Sequence, residues 1–383
     1  MASGKSYRSS IVELFTRLIS FEKKDNIYTN GDDNNYPERI ERIINNSTTS
    51  KMCANKLGTF IYGKGFENNP LVNKKKNLNL NDNLLAAIES LKYHKGFYIH
   101  VNYDIDGAVN YTDILSYKKC RISKEDDLGY EGAIYYADEW GKQGFIYSRK
   151  SKKAKWFYPF NSDIEVINAQ RLRDAKPFLL DSDTLEEKSE KLVKNYRGQV
   201  LFVNLEPQYV YPLAYIDPAY NDSDSEYRTS IFKNTNLRNG FVGKMVITLL
   251  KAEDDDVKKQ IEKDYANLLG AEETGGVLIH WTELDSDGKL IPVALMDAVP
   301  SNIDDKLYQY TEESIGNAIM TAYGIHPALV KTSHKMFGSS GEEMMQIKKD
   351  FQNTTEKERQ AIENAFFKIY KVKNEIIKLI KDD

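Results

Sequence analysis

The sequence predicts an α+β protein in which a small αβ module sits between two long helices, with a polar loop following the second. Three observations predict it. Apolar residues at helical spacing before Gly96 give way after it to alternation with a period of two. The stretch 217–240 carries a full set of helix-start and helix-stop signals, and a β-rich segment then separates it from helical residues 303–323. Beyond these comes a Gly/Ser loop, then a long helix with Glu342 and Glu343 in its first turn, the charge sign a helix N-terminus prefers.

Taken in order, the first element expected is a helical piece within residues 1–25, carried by Ile11, Leu14, Phe15, Leu18 and Ile19, before a polar turn at 30–35. From Pro37 a helical pattern resumes through Ile40, Ile43 and Ile44, then Met52, Cys53, Leu57 and Phe60, and Gly63-Lys64-Gly65 closes it. Asn81 or Asp82 caps a short amphipathic helix over 84–94. Residues 97–103 read as a strand, Asp106-Gly107 as a hairpin turn and 108–115 as the partner strand. Further strands are expected at 144–147, 155–160 and 199–204, with a charged helix at 185–195 before the last of them.

The next helix is marked at both ends. Asp217 is the expected N-cap, Pro218 the first helical residue and Gly240 the stop. Acidic Asp222, Asp224 and Glu226 lie early and basic Lys233 and Arg238 late, matching the helix dipole. Such a helix is about 33 Å long at about 1.5 Å per residue. Its apolar face, Tyr220, Tyr227 and Ile231, is thin, which suits packing by neighbouring copies better than a place in a core.

Residues 241–299 follow as a module of strand 245–250, helix 254–269, a Gly275-Gly276 turn, strand 277–282, a turn at 285–288 and residues 290–295. Ser301 or Asn302 caps the returning helix, 303–323. After Gly324, His326-Pro327 stops the helix, because proline has no N–H and excludes its predecessor from helical space. The loop 331–341 gains backbone freedom from Gly338 and Gly341, and Ser339 or Ser340 caps the helix beyond it. From Glu342 the chain reads as one helical stretch with a break near Thr354-Thr355 and an apolar face of Ile362, Phe366, Ile369, Ile376 and Ile380.

Composition narrows function mostly by exclusion. The 383 residues allow two or three domains, and no run approaches the 18 apolar residues a membrane span requires. The N-terminal MASGKSYRSS lacks the apolar stretch of a secretory signal, and Cys53 and Cys120 read as packing residues in a reducing compartment. A net charge of -4 argues against a tight grip on nucleic acid, yet a mildly acidic wall would let DNA pass without sticking.

Candidate catalytic motifs fail one by one. Gly4-Lys5-Ser6 lacks the first glycine of a phosphate-binding loop, and Gly63-Lys64-Gly65 lacks the third glycine of a dinucleotide fingerprint. Residues 104–107 and 285–288 fit hairpin turns, not calcium loops, and the acidic run 253–256 fits a helix start. His94, His100 and His280 read as structural and His326 as a loop anchor. His334, near Lys331 and Lys335, is either a solvated loop tip or a weak, pH-dependent phosphate contact. No catalytic group, cofactor or metal is expected.

In this order the parts resemble a portal protein of tailed bacteriophages, of the HK97-like type. The resemblance is carried by SKMCANKLGTFIYGKGF (50–66), GFYIHVNYDIDG (96–107), and the pair SEYRTSIFKNTNLRNG (225–240) with YGIHPALVKTSHKMFGSSGEEM (323–344). It implies a portal-type fold: an α+β wing over 1–208, a first stem helix at 209–240, a small αβ clip at 241–300 and a second stem helix at 301–323. A tunnel loop at 324–341 and a long C-terminal helix at 342–383 complete it, with the crown minimal or absent. It further implies a dodecameric ring at one capsid vertex, the channel for double-stranded DNA packaging and ejection. The expected partners are the terminase large subunit, a head–tail adaptor, and the major capsid and scaffold proteins, with no membrane. The expected location is the virion, and the host cytoplasm during assembly. Lys331, Thr332, Ser333, His334, Lys335, Met336, Phe337, Gly338, Ser339 and Ser340 would line the channel, with His326, Pro327 and Gly341 as loop anchors. The competing readings are another head–tail connector or minor capsid structural protein, and a metal-dependent nuclease.

Overall fold

The structure, a computed structural model, describes residues 23–24, 27–123, 132–138, 140, 154–238, 245–250, 256, 259, 263, 277–282, 305–330 and 341–380. The helical piece expected around Ile11–19, the strand at 144–147, the Gly275-Gly276 turn, residues 285–295 and the loop 331–340 lie outside them. The chain is α+β and divides into two compact units: Met1–Asp224 with Gly316–Asp383, and Ser225–Ile315.

In the larger unit the first strands are two residues each, β1 (Lys23–Lys24) and β2 (Ile27–Tyr28), paired antiparallel. The polar turn at 30–35 follows as expected, and Asn34 sits in the left-handed region with its carbonyl and side chain both accepting from fully buried Arg121. Helices α1 (Tyr36–Asn46) and α2 (Thr48–Tyr62) come next. Ser47 divides them, its hydroxyl accepting from the Ser50 N–H as the cap of α2. After the short pair β3 (Leu71–Asn73) and β4 (Leu78–Asn79), Asn79 and Asp82 form a capping box that starts α3 (Leu80–His94). The helix therefore begins four residues earlier than its apolar pattern alone predicts.

A six-stranded sheet carries the core. The hairpin reads as expected: β5 (Gly96–Tyr103) pairs antiparallel with β6 (Val109–Leu115) through the Asp106-Gly107 turn, where the Asp104 carboxylate accepts from the Ala108 N–H. The short strands β7 (Cys120–Ile122) and β8 (Ile134–Tyr136) were not expected, and neither was helix α4 (Ile164–Ala175), which Asp163 caps. Between β9 (Lys155–Pro159) and β10 (Gln199–Asn204) the chain makes a crossover through α4 and α5 (Leu185–Lys194), which lets those two strands pair in parallel. The order across the sheet is β6-β5-β10-β9-β8-β7. Tyr98, Tyr117, Cys120, Ile134 and Val200 pack together there, so Cys120 is the packing residue its sequence context implies.

In the smaller unit, β11 (Met245–Leu250) and β12 (Val277–Thr282) pair in parallel, with Met245 opposite Val277 and Leu250 opposite Thr282. Parallel pairing demands a long crossover, and the described residues within it, Asp256, Lys259 and Lys263, are helical. Helices α6 (Tyr220–Arg238) and α7 (Asp305–Ala322) lead into and out of this unit. Within it, Lys233 of α6 pairs with Glu312 of α7.

The C-terminal region differs from expectation. The expected break near Thr354-Thr355 is present, dividing α8 (Gly341–Thr354) from α9 (Glu356–Tyr370), but the chain beyond Tyr370 is a tail and not a continued helix. The break falls at Thr355, where Arg359 bonds the Thr355 hydroxyl and the Gln352 carbonyl. Ile376 and Ile380 therefore belong to the tail and not to a helical face.

Candidate functional site

The ten expected channel residues, Lys331 to Ser340, lie outside the described residues, but both ends of their loop are described. On the N-terminal side α7 stops in a Schellman motif. Gly324 adopts φ 63, its N–H donates to the Thr321 carbonyl at 3.0 Å, and the Ile325 N–H donates to Met320 at 2.9 Å. Met320 and Ile325 are both buried, which supplies the apolar contact that accompanies this motif.

His326 then takes an extended conformation, as a residue before proline must. Its Nδ1 accepts from the Ala328 N–H at 3.2 Å, capping a 3₁₀ turn over Pro327–Leu329. That bond requires Nδ1 to carry no proton. The Leu329 N–H donates to His326 and the Val330 N–H to Pro327, and both side chains are buried. His326 thus caps a turn pinned by Leu329 and Val330, the last described residue before 341.

On the other side Gly341 is the first residue of α8, exposed, with nothing within 4 Å of where a Cβ would stand. No contact in the structure demands glycine there. Glu342 and Glu343 occupy the first turn, both exposed. Helix α8 packs against the 327–329 turn.

The frame beneath this turn is aromatic. Tyr323 stacks on Tyr215 at 5.9 Å, and the Tyr215 hydroxyl donates to Glu358 of α9 at 2.6 Å. Burial, then the neighbouring Glu358 charge, pushes the Tyr215 hydroxyl well above its ordinary value. The segment from β10 to α6 is secured the same way. Tyr211 donates to the Tyr28 carbonyl and accepts from the Ile122 N–H, and Tyr36 donates to Asp217. Asp217, the expected cap of α6, lies in a 3₁₀ turn that leads into the helix. None of these tyrosines stands out by periodicity. Their signal is only the density of Tyr between 209 and 220.

Helix α6 is anchored at its start by Ser223, whose hydroxyl lies 2.7 Å from that of Ser50, both fully buried. Of residues 221–234, Ser223 alone is buried, and Ile231 and Phe232 are each 46 % exposed.

A cleft of about 470 Å³ lies between α1, α3 and the end of β6. Its ionisable groups are already engaged. Lys118 and His94 donate to the two oxygens of Glu41. Burial raises the Glu41 carboxyl, but these hydrogen bonds outweigh it and bring it down to about 2. His94 itself is pushed below its ordinary value by burial, which exceeds the pull of Glu41, so the 3.3 Å contact is a neutral N–H donated to a carboxylate. His94 also stacks on Tyr117 at 4.4 Å. His100 likewise is buried, donating to the Arg197 carbonyl at 2.8 Å. Among the described residues, no three His, Cys, Asp or Glu side chains gather as metal ligands, and no helix is long and apolar enough to cross a membrane.

No family model and no curated protein matches the chain. Among solved structures it is similar to a chain of the virion of a native gene transfer agent particle, at 11 % identity and TM-score 0.45, covering 88 % of this chain and 82 % of that one. It is also similar to a chain from the neck of the native particle with C12 symmetry, at 10 % identity and TM-score 0.44, covering 88 % and 83 %. A third, from the neck of the empty particle with C6 symmetry, shares 11 % identity at TM-score 0.42, covering 89 % and 84 %.

Proposed function

We propose that this chain is a portal protein: a subunit of a ring, dodecameric in the virion, through which double-stranded DNA is packaged and ejected. The observation that carries the reading is the exposed length of α6. A helix fixed at its first turn by Ser223 and then exposing Ile231 and Phe232 would bury that face against the next copy around a ring. The order of parts supports it: an α+β body, a helix into a small αβ unit, a helix back, and then residues 331–340 ahead of a further helix. In this reading α6 and α7 are the stem, the 245–282 module is the clip facing the packaging motor and later the adaptor, and 331–340 is the tunnel loop.

A channel requires no catalytic group of its own, since a separate motor ATPase supplies the work. What it requires is a wall that binds DNA weakly and a collar that changes shape as the helical surface passes. Gly338, Ser339 and Ser340 give such a collar its freedom, and Lys331 and Lys335 give it transient phosphate contacts. Replacing Lys331 and Lys335 together by alanine is expected to leave rings intact while changing the length or yield of packaged DNA. Unchanged packaging in particles assembled with that variant would remove the loop from the mechanism.

A further inference from the structure

Helix α8 buries side chains only toward its C-terminal end. None of residues 341–350 is buried, whereas Phe351 and Gln352 are. Phe351 packs edge-on against Phe60 of α2 at 4.9 Å. Gln352 does something less common for a buried amide: it grips backbone on a segment 28 residues away. Its Nε2 donates to the Ile380 carbonyl at 2.9 Å, and its Oε1 accepts from the Ile380 N–H at 2.7 Å. The carbonyl of the same residue accepts from Arg359, which also reaches the Phe60 carbonyl.

The segment so gripped is the C-terminal tail. Lys371 turns the chain back with φ 57, and the tail runs antiparallel to residues 63–68. The Lys64 N–H donates to Ile377, the Ile377 N–H to Gly65, and the Glu67 N–H to Glu375, at 2.8 to 3.0 Å. Asn374 grips Asn68 through both ends of its amide, and Ile376 alone of residues 371–380 is buried, opposite buried Phe66. This also accounts for Gly63-Lys64-Gly65, a motif with no place in the functional reading. A Cβ on Gly63 would stand 2.1 Å from the Ile377 carbonyl oxygen, so only glycine admits the tail.

We infer that residues 371–380 form a strap that sets the direction of helix α8, with Gln352 as the positioning residue that couples the two. The strap itself follows from the contacts above. The strap holds by one buried side chain and a row of hydrogen bonds, with Val372 and Ile377 exposed, so it is built to peel without disturbing the sheet.

The test is residue-resolved hydrogen exchange on the full chain. In Gly63→Ala, exchange at Ile376, Ile377 and Ile380 is expected to rise about tenfold or more, and exchange in α8 to rise with it, while α3 is unchanged. Gly132→Ala carries the same positive-φ cost in open space, at φ 78, and is expected to change none of these. In Gln352→Leu, Ile377 is expected to stay protected while Ile380 and α8 are released. If Gly63→Ala fails to fold, Asn374→Ala decides: it removes only the exposed grip on Asn68 and is expected to loosen the strap and α8 together. A strap that loosens while α8 keeps its protection, or one that stays protected in both variants, overturns the inference. Neither result bears on ring formation, which is read by mass.

Discussion

Helices α3 and α6 are similar in length, 15 and 19 residues, and opposite in what surrounds them. In α3 the apolar residues Leu80, Leu84, Ala87, Ile88 and Leu91 fall on one stripe, and all are buried against the rest of the chain. In α6 the stripe is Tyr220, Tyr227 and Ile231, none of them buried, and Phe232 stands exposed beside them. The first helix is complete within one polypeptide. The second buries one side chain in 221–234, and in the proposed ring its exposed face would lie against the next copy.

The comparison can be broken from either side. On the side of α3, Leu91→Ala removes a fully buried side chain and is expected to cost about 2–5 kcal/mol of single-chain stability by denaturant unfolding. A cost under about 1 kcal/mol would mean α3 is not the core helix its burial indicates. On the side of α6, Ile231→Glu with Phe232→Glu is expected to change single-chain stability by only about 0.5 kcal/mol, as for exposed positions, while abolishing ring assembly. A variant that unfolds instead would show that α6 already has its partner within the chain.

A smaller effect sharpens the same contrast through pH. Burial lowers His94 and His100 below the ordinary value of 6.5, so below that pH the unfolded chain takes up protons that the folded chain refuses. Stability is therefore expected to fall as pH drops through and below 6.5, and His94→Gln should flatten that decline in denaturant midpoints. A second decline belongs to Glu41. Its folded value is about 2 against an ordinary 4.5, so the stability it contributes is present above 4.5 and lost as pH falls from there toward 2. Because these groups lie around α1, α3 and the sheet, the acid response belongs to the larger unit and should leave the exposed face of α6 untouched.

Much of the fold was legible because its signals are local. The hairpin of β5 and β6 follows from strict alternation around Asp106-Gly107, whereas Asp217-Pro218 opens a 3₁₀ turn ahead of α6 and Asp217 accepts from Tyr36 in place of capping the helix. The misses are non-local. Parallel pairing of β9 with β10 joins residues about forty positions apart, and nothing in either strand specifies the partner. The C-terminal helix was overextended because Ile376 and Ile380 continue the spacing of Ile362, Phe366 and Ile369. What ends the helix is Lys371 in the left-handed region and pairing with residues 63–68, three hundred positions away. At the candidate site, His326-Pro327 announced a stop, whereas the Schellman contact of Met320 with Ile325 and the Tyr215–Tyr323 stack depend on the folded chain.

The central claim is that this chain completes itself in a ring, and mass by light scattering on the purified protein, with negative-stain images of the same fraction, tests it most directly. The account predicts a species of about twelve times the 44.0 kDa chain, seen as rings with a central hole. A single-chain mass at every concentration, with no rings in the images, would contradict it.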